Sequence, residues 1–132
     1  MRLLFFILLI PLLTSCDQKD DPLTAQDIID KAIERSCSGN CEQVSVEFRF
    51  RDRQYIRTRE RGSFEYQRIT TTDNGIITDV LSNAGFQRFI NDSLIQIPDS
   101  MAVKYSNSVN SVHYFSQLPY GLNDKAVNKK LL

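Results

Sequence analysis

An α+β domain is what this sequence predicts: an antiparallel β meander packed on an N-terminal amphipathic helix, with a second helix near the C-terminus. Three observations carry this. Apolar residues recur at helical spacing between Ala25 and Ile33. From Val44 the pattern switches to alternation of apolar and polar residues. Turn-forming residues then return at short intervals. That leaves no room for the crossovers of roughly a dozen residues that parallel strands need.

The helix starts at Thr24, a good N-cap, with Asp27 three positions on and close to the positive helix end. Ala25, Ile28, Ile29, Ala32 and Ile33 form one apolar stripe, and Asp27, Asp30, Lys31, Glu34 and Arg35 fill the other face. The helix should end near Ser36, and Gly39 stops any continuation. A first strand follows, in which Val44, Val46, Phe48 and Phe50 alternate with Ser45, Glu47, Arg49 and Arg51. Such alternation puts one face in a core and one in water. Tyr55 to Arg61 reads as a second strand and Ser63 to Thr72 as a third, with Phe64 and Tyr66 on one side. Asp73-Asn74-Gly75 supplies residues tolerant of positive φ and reads as a hairpin turn. Ile76 to Leu81, Phe86 to Ile90 and Leu94 to Ile97 complete the meander. Pro98 stops the sheet, and Asp99 or Ser100 can cap the second helix. Met101, Tyr105, Val109, Val112 and Phe115 keep helical spacing there, against weak helix formers around them. Residues 123–130 read as a short helical or irregular stretch.

Ahead of this domain stands a targeting segment. Arg2 precedes an apolar run from Leu3 to Leu13. As a helix the run spans roughly 16 Å, about half of a ~30 Å hydrocarbon core, so it is a signal region and not a transmembrane helix. Leu13-Thr14-Ser15-Cys16 closes it and resembles the bacterial lipobox, whose cysteine receives a diacylglyceryl group. Two or three acyl chains, at about 0.8 kcal/mol per buried CH₂, give stable anchoring. The organisation expected is a signal peptide over 1–15, a lipidated tether over 16–22 and one domain over 23–132. Removing 15 of 132 residues leaves 117, which suits one domain. The run Lys19-Asp20-Asp21 after the cysteine resembles the surface-export signal of Bacteroidota lipoproteins. The localisation expected is the bacterial cell envelope, as an outer-membrane lipoprotein, with surface display preferred over a periplasm-facing position.

Net charge is zero, so no global field steers the chain to nucleic acid. Cys37 and Cys41 remain after lipidation of Cys16, and in an oxidising compartment a disulfide is the first reading of the pair. Free thiols come second, and a redox pair or half a metal site third.

The stretch Asp79–Phe86, then Lys104–Phe115, then Leu118–Asp124, resembles an uncharacterised family of Bacteroidota lipoproteins. The likeness covers most of residues 23–132. It implies a lipoprotein-carrier-like fold, in which a curved half-barrel sheet wraps helices around an apolar cavity. Members of that family run about twice as long, which implies a domain truncated at its C-terminus and a sheet with an open edge. The family has no established activity, so it implies no catalytic residues and no cofactor. The cysteine pair is not part of its pattern.

Four sets of candidate site residues follow from the residue types. The apolar face of Val44, Val46, Phe48, Phe50, Phe64 and Tyr66 is either core alone or a ligand groove, since lipid sites are concave and apolar. Ile28, Ile29 and Ile33 of the first helix should meet it. Seven arginines lie between Arg49 and Arg68. They read first as a solvated outer sheet face laced with cross-strand ion pairs. The alternative is an anionic headgroup or envelope polymer, with Arg49, Arg51, Arg57 and Arg59 as contacts. His113, the only histidine, is a candidate general base without a marked nucleophile; otherwise it is a partly buried residue flanking its helix. Asp17, Asp20 and Asp21 lack the glycine and closing glutamate of a calcium loop, so no metal is expected. The function that follows is a non-enzymatic envelope lipoprotein, held to the membrane by lipid, that binds a lipid or other apolar ligand. The second reading is a surface interaction or structural protein using the arginine-rich strands. The third is a hydrolase-like enzyme using His113.

Overall fold

Six strands follow one another across the sheet in chain order, each antiparallel to the last, in a computed structural model that describes residues 22–37 and 40–132. The apolar run, Cys16, the acidic stretch after it and Gly39 lie outside the described residues. Helix α1 is Ala25–Cys37. The strands are β1 (Val44–Phe50), β2 (Arg53–Glu60), β3 (Ser63–Thr72), β4 (Gly75–Ser82), β5 (Gly85–Ile90) and β6 (Ser93–Ile95). Helix α2, Asp99–Ser116, follows, and a 3-10 helix occupies Tyr120–Asn123. The sheet is open and curved, and β1 and β6 are its two edges.

Each connection between strands is a two-residue loop, which is why pairing goes to the chain neighbour every time. Asn91 and Asp92 both take positive φ, 47° and 66°, as do Arg61 and Gly62. These are the left-handed turns whose twist matches that of a hairpin. In the β3–β4 connection the positive φ falls on Gly75 (125°), the first residue of β4. A side chain there would also collide with the Asn91 amide, whose Oδ1 accepts a hydrogen bond from the Ile76 N–H at 2.9 Å.

Thr24 and Asp27 cap α1 reciprocally. The Thr24 N–H donates to Asp27 Oδ2 at 2.8 Å, and the Asp27 N–H donates to Thr24 Oγ1 at 3.1 Å. The Thr24 hydroxyl, which donates to Asp27 Oδ2 at 2.6 Å, and then the Thr24 N–H hold the Asp27 carboxyl below its ordinary pKa. The expected cap of α2 is not there. Pro98 occupies the N-cap with no side-chain hydrogen bond, so Asp99 already lies inside the helix as a favourable charge in its first turn.

The larger correction concerns which helix the sheet packs on. Helix α1 has no buried residue, and Ile28 on its apolar stripe is 47% exposed. Its main partner is the 3-10 helix, reached through polar groups: Gln26 Nε2 donates to Asn123 Oδ1 at 2.7 Å, and Asn123 Nδ2 donates to Asp30 Oδ1 at 2.9 Å. Helix α2 is the one laid across the sheet, chiefly over β3, β4 and β5. Its Val109 and His113 are fully buried, so the expected partial burial of His113 is also corrected. Residues 124–132 carry no helix, the irregular half of the sequence expectation.

Candidate functional site

Strand register decides which side chains share the face under α2. Residues paired directly across antiparallel strands point to the same side. Val44 pairs with Arg59, Val46 with Arg57 and Phe48 with Tyr55. Arg57 in turn pairs with Tyr66, Arg59 with Phe64 and Tyr55 with Arg68. The apolar residues of β1 and four of the arginines, Arg53, Arg57, Arg59 and Arg68, therefore occupy one inner face. For Arg57, Arg59 and Arg68, which are buried or half-buried, this overturns the reading as a solvated outer face; Arg49, Arg51, Arg53 and Arg61 are exposed. Arg49 lies on the opposite face of β1, and Arg51 sits in the β1–β2 turn, over the Phe50 ring. The four arginines proposed together as anionic contacts are thus split between two sides of the sheet.

The inner face has two halves. Under α2 it is closed by an ion network. Asp79 of β4, 1% exposed, pairs across the ladder with Arg68 on one side and Arg88 on the other. Arg68 donates from Nη2 to Asp79 Oδ2 at 2.6 Å, and Arg88 donates from Nε to Oδ1 at 2.7 Å. Arg68 also reaches Ser108 of α2 at 2.7 Å, and Arg88 lies over the Tyr105 ring at 3.5 Å. Both arginines thus tie sheet to helix. The hydrogen bond to Asp79, above all, raises the Arg88 guanidinium above its ordinary pKa. Asp79 and Arg88 were not among the sequence candidates. Their signal was present: each sits between apolar residues two positions away, Ile77 and Leu81 for Asp79, Phe86 and Ile90 for Arg88. In a strand that spacing puts a charge on the apolar face, where it needs a partner.

His113 stands at the boundary of the halves. The ring is 0% exposed, and Nε2 donates to the Gln67 carbonyl at 3.1 Å. The rings of Phe48, Tyr55 and Tyr66 surround it at centroid distances of 5.7, 5.5 and 4.7 Å. Burial, with the charge of Arg57 adding to it, drives its pKa down to about 4 against the hydrogen bond to Gln67. A general base must reach the proton it takes. Sealed in this box, His113 works as a packing residue. Tyr66, 4% exposed, belongs to the same box and to the core; its hydroxyl accepts from Arg59 Nη2 at 2.6 Å. Phe64 packs on Tyr66 at 4.9 Å. These two groove candidates are therefore core and flank.

Beyond the edge of α2 the face is open. Phe48, Arg49 and Phe50 of β1 line a cavity of about 450 Å³ with Val112, Phe115 and Ser116 of α2. Phe50 is 48% and Phe115 69% exposed. A second cavity, of about 340 Å³, lies further along the same strand. It is lined by Val44 and Val46 of β1, Arg57 and Arg59 of β2, Gln117, Tyr120 and the ends of the Cys37–Cys41 loop. Cys37 and Cys41 stand at disulfide distance, their Cα atoms 5.2 Å apart. Tyr120 packs under the Arg59 guanidinium at 4.8 Å and donates its hydroxyl to Glu42. Burial and that bond raise the tyrosine's pKa. Arg57 is 8% exposed, and its Nε and Nη1 have no hydrogen-bond partner among the described residues. Burial pulls its pKa down.

Among the described residues no three His, Cys, Asp or Glu side chains are grouped to hold a metal ion, and no helix is long and apolar enough to cross a membrane. The chain belongs to a family of unknown function, DUF6503, whose model matches residues 2–130. No curated protein and no solved structure matches it.

Proposed function

We propose that this protein is a non-enzymatic lipoprotein of the bacterial cell envelope that binds a lipid-like ligand along the open side of its sheet. The observation that carries the reading is the inner face of β1, half-buried from Val44 to Phe48 and open at Phe50. Val44, Val46, Phe48 and Phe50 form a stripe about 20 Å long. Helix α2 leaves its end exposed at Phe50 and Phe115. A soluble domain ordinarily buries such rings, and apolar side chains left open beside a cavity mark a binding surface. A curved open sheet with a helix across it is also consistent with the half-barrel architecture of lipoprotein carriers, in which the ligand lies between sheet and helix.

The envelope location rests on the sequence. Leu13-Thr14-Ser15-Cys16 closes an apolar run too short to span a bilayer, and Lys19-Asp20-Asp21 supports display at the cell surface. Lipid on Cys16 would hold the domain at the membrane from which its ligand comes. Cys16→Ser should abolish labelling by radioactive palmitate, and persistent label would contradict the anchor.

The ligand is tested by native mass spectrometry of the chain from Asp17 onward, which contains every described residue, purified gently from the periplasm. A co-purifying mass of lipid size, absent from the Phe50→Asp variant, is the expected result. A ligand-free mass from the folded protein would overturn the reading. The same spectrum reads the cysteine pair, two hydrogens lighter when bonded.

A further inference from the structure

We infer that the ligand has an oxyanion head, a carboxylate or a phosphate monoester, and that Arg57 and Arg59 receive it in the cavity beside the Cys37–Cys41 loop; this rests on the proposed apolar site and gives it a polar end. Arg57 carries an unusual cost. A buried charge is retained when it is paired and hydrogen-bonded, as Arg68 and Arg88 are with Asp79. Arg57 is as buried as Arg68, at 8% against 6%, and two of its nitrogens have no partner among the described residues. Those nitrogens belong to a side chain that lines a cavity of about 340 Å³, within the range of small-ligand sites.

The second guanidinium at this cavity strengthens the case. Arg59 is two residues along the same strand, on the same face. It is held from behind by the Tyr66 hydroxyl and the Tyr120 ring, which fix its plane. Among the described residues the carboxylate that acts on it is Glu42, which receives the Tyr120 hydroxyl and lines the neighbouring cavities instead of this one. Two like charges side by side repel, and among the described residues neither guanidinium forms an ion pair; Glu42 acts on Arg59 only from beyond this cavity. A planar fork of N–H donors matches the oxygens of a carboxylate or phosphate. Val44 and Val46 line the same cavity, and the stripe continues through Phe48 and Phe50 to the open apolar cavity. One molecule with an anionic head and an alkyl tail satisfies both ends.

Isothermal titration of the chain from Asp17 onward with dodecanoate, dodecyl phosphate, dodecan-1-ol and inorganic phosphate separates the parts. The expected result is that an anionic amphiphile binds about tenfold tighter than the alcohol of equal chain length. Arg57→Met should erase that advantage and Lys104→Met, at an exposed cation of α2 that lines neither cavity, should keep it. If Arg57→Met fails to give a native-like melt, Arg59→Gln reads the same difference. Alcohol and anions binding equally would overturn the oxyanion head while leaving the apolar site intact. Inorganic phosphate binding as tightly as dodecyl phosphate would keep the head and remove the tail. Binding by none of the four would overturn both.

Discussion

The two halves of the inner face handle buried arginine in opposite ways. Under α2, Arg68 and Arg88 close on Asp79, and every strand from β3 to β5 contributes one member. Beyond α2, Arg57 and Arg59 sit on β2 beside an apolar edge strand, and the nearest carboxylate is turned to Tyr120. The same residue type thus holds the fold together in one half and, among the described residues, forms no ion pair in the other. The lesson is that a buried charge is informative through its partners: where they are present it reads as structure, and where they are missing it reads as a site awaiting one.

The largest effect expected from breaking this contrast is at Asp79. Asp79→Ala strips the partner from two buried guanidiniums and should cost about 3–5 kcal/mol in urea unfolding. A loss below about 1 kcal/mol would mean that water replaces the network. Next comes the box at the boundary. Because burial lowers the folded pKa of His113 from 6.5 to about 4, the unfolded chain takes up the proton first. The stabilisation is complete above about pH 6.5 and is lost as pH falls toward about 4. Its size is on the order of 3 kcal/mol. His113→Phe should lack this part of the slope in melts compared at pH 7 and pH 4.5. An unchanged slope would show that the imidazole is hydrated.

In the open half the sign should reverse. Arg57→Met removes an unpaired buried cation and should leave stability unchanged or raise it by about 1 kcal/mol. A loss like that at Asp79 would mean that Arg57 has a structural partner. The smallest stability effect should be at Phe50, 48% exposed. Phe50→Ser should cost under about 1 kcal/mol yet weaken amphiphile binding about tenfold.

The meander was legible from the sequence because its signals are local. Alternation places Val44 to Phe50, and Gly75, Asn83-Ala84 and Asn91-Asp92 mark turns only two residues long. The cap of α1 was equally local, since Thr24 and Asp27 are three apart. What the sequence did not disclose is non-local. The stripe of α1 looks like a core face, but α2, with its asparagines and serines, takes the central position because it carries Ser108, Val109 and His113 to the inner face. The division of the arginines was hidden for a related reason. Arg49, Arg51, Arg57 and Arg59 all share odd parity, yet the two-residue turn at Arg51-Asp52 shifts the pairing so that Arg57 faces Val46. Register, and not spacing along the chain, decided which cations met the apolar strip.

Where a ligand meets the sheet is read directly by a titration of ¹⁵N-labelled protein with dodecanoate, followed by amide chemical shifts. The result predicted is a saturable set of shifts along Val44–Phe50, at Arg57 and Arg59 and around Val112 and Phe115, with β5 and β6 unmoved. Shifts centred on β5 and β6, or none at millimolar ligand, would contradict it.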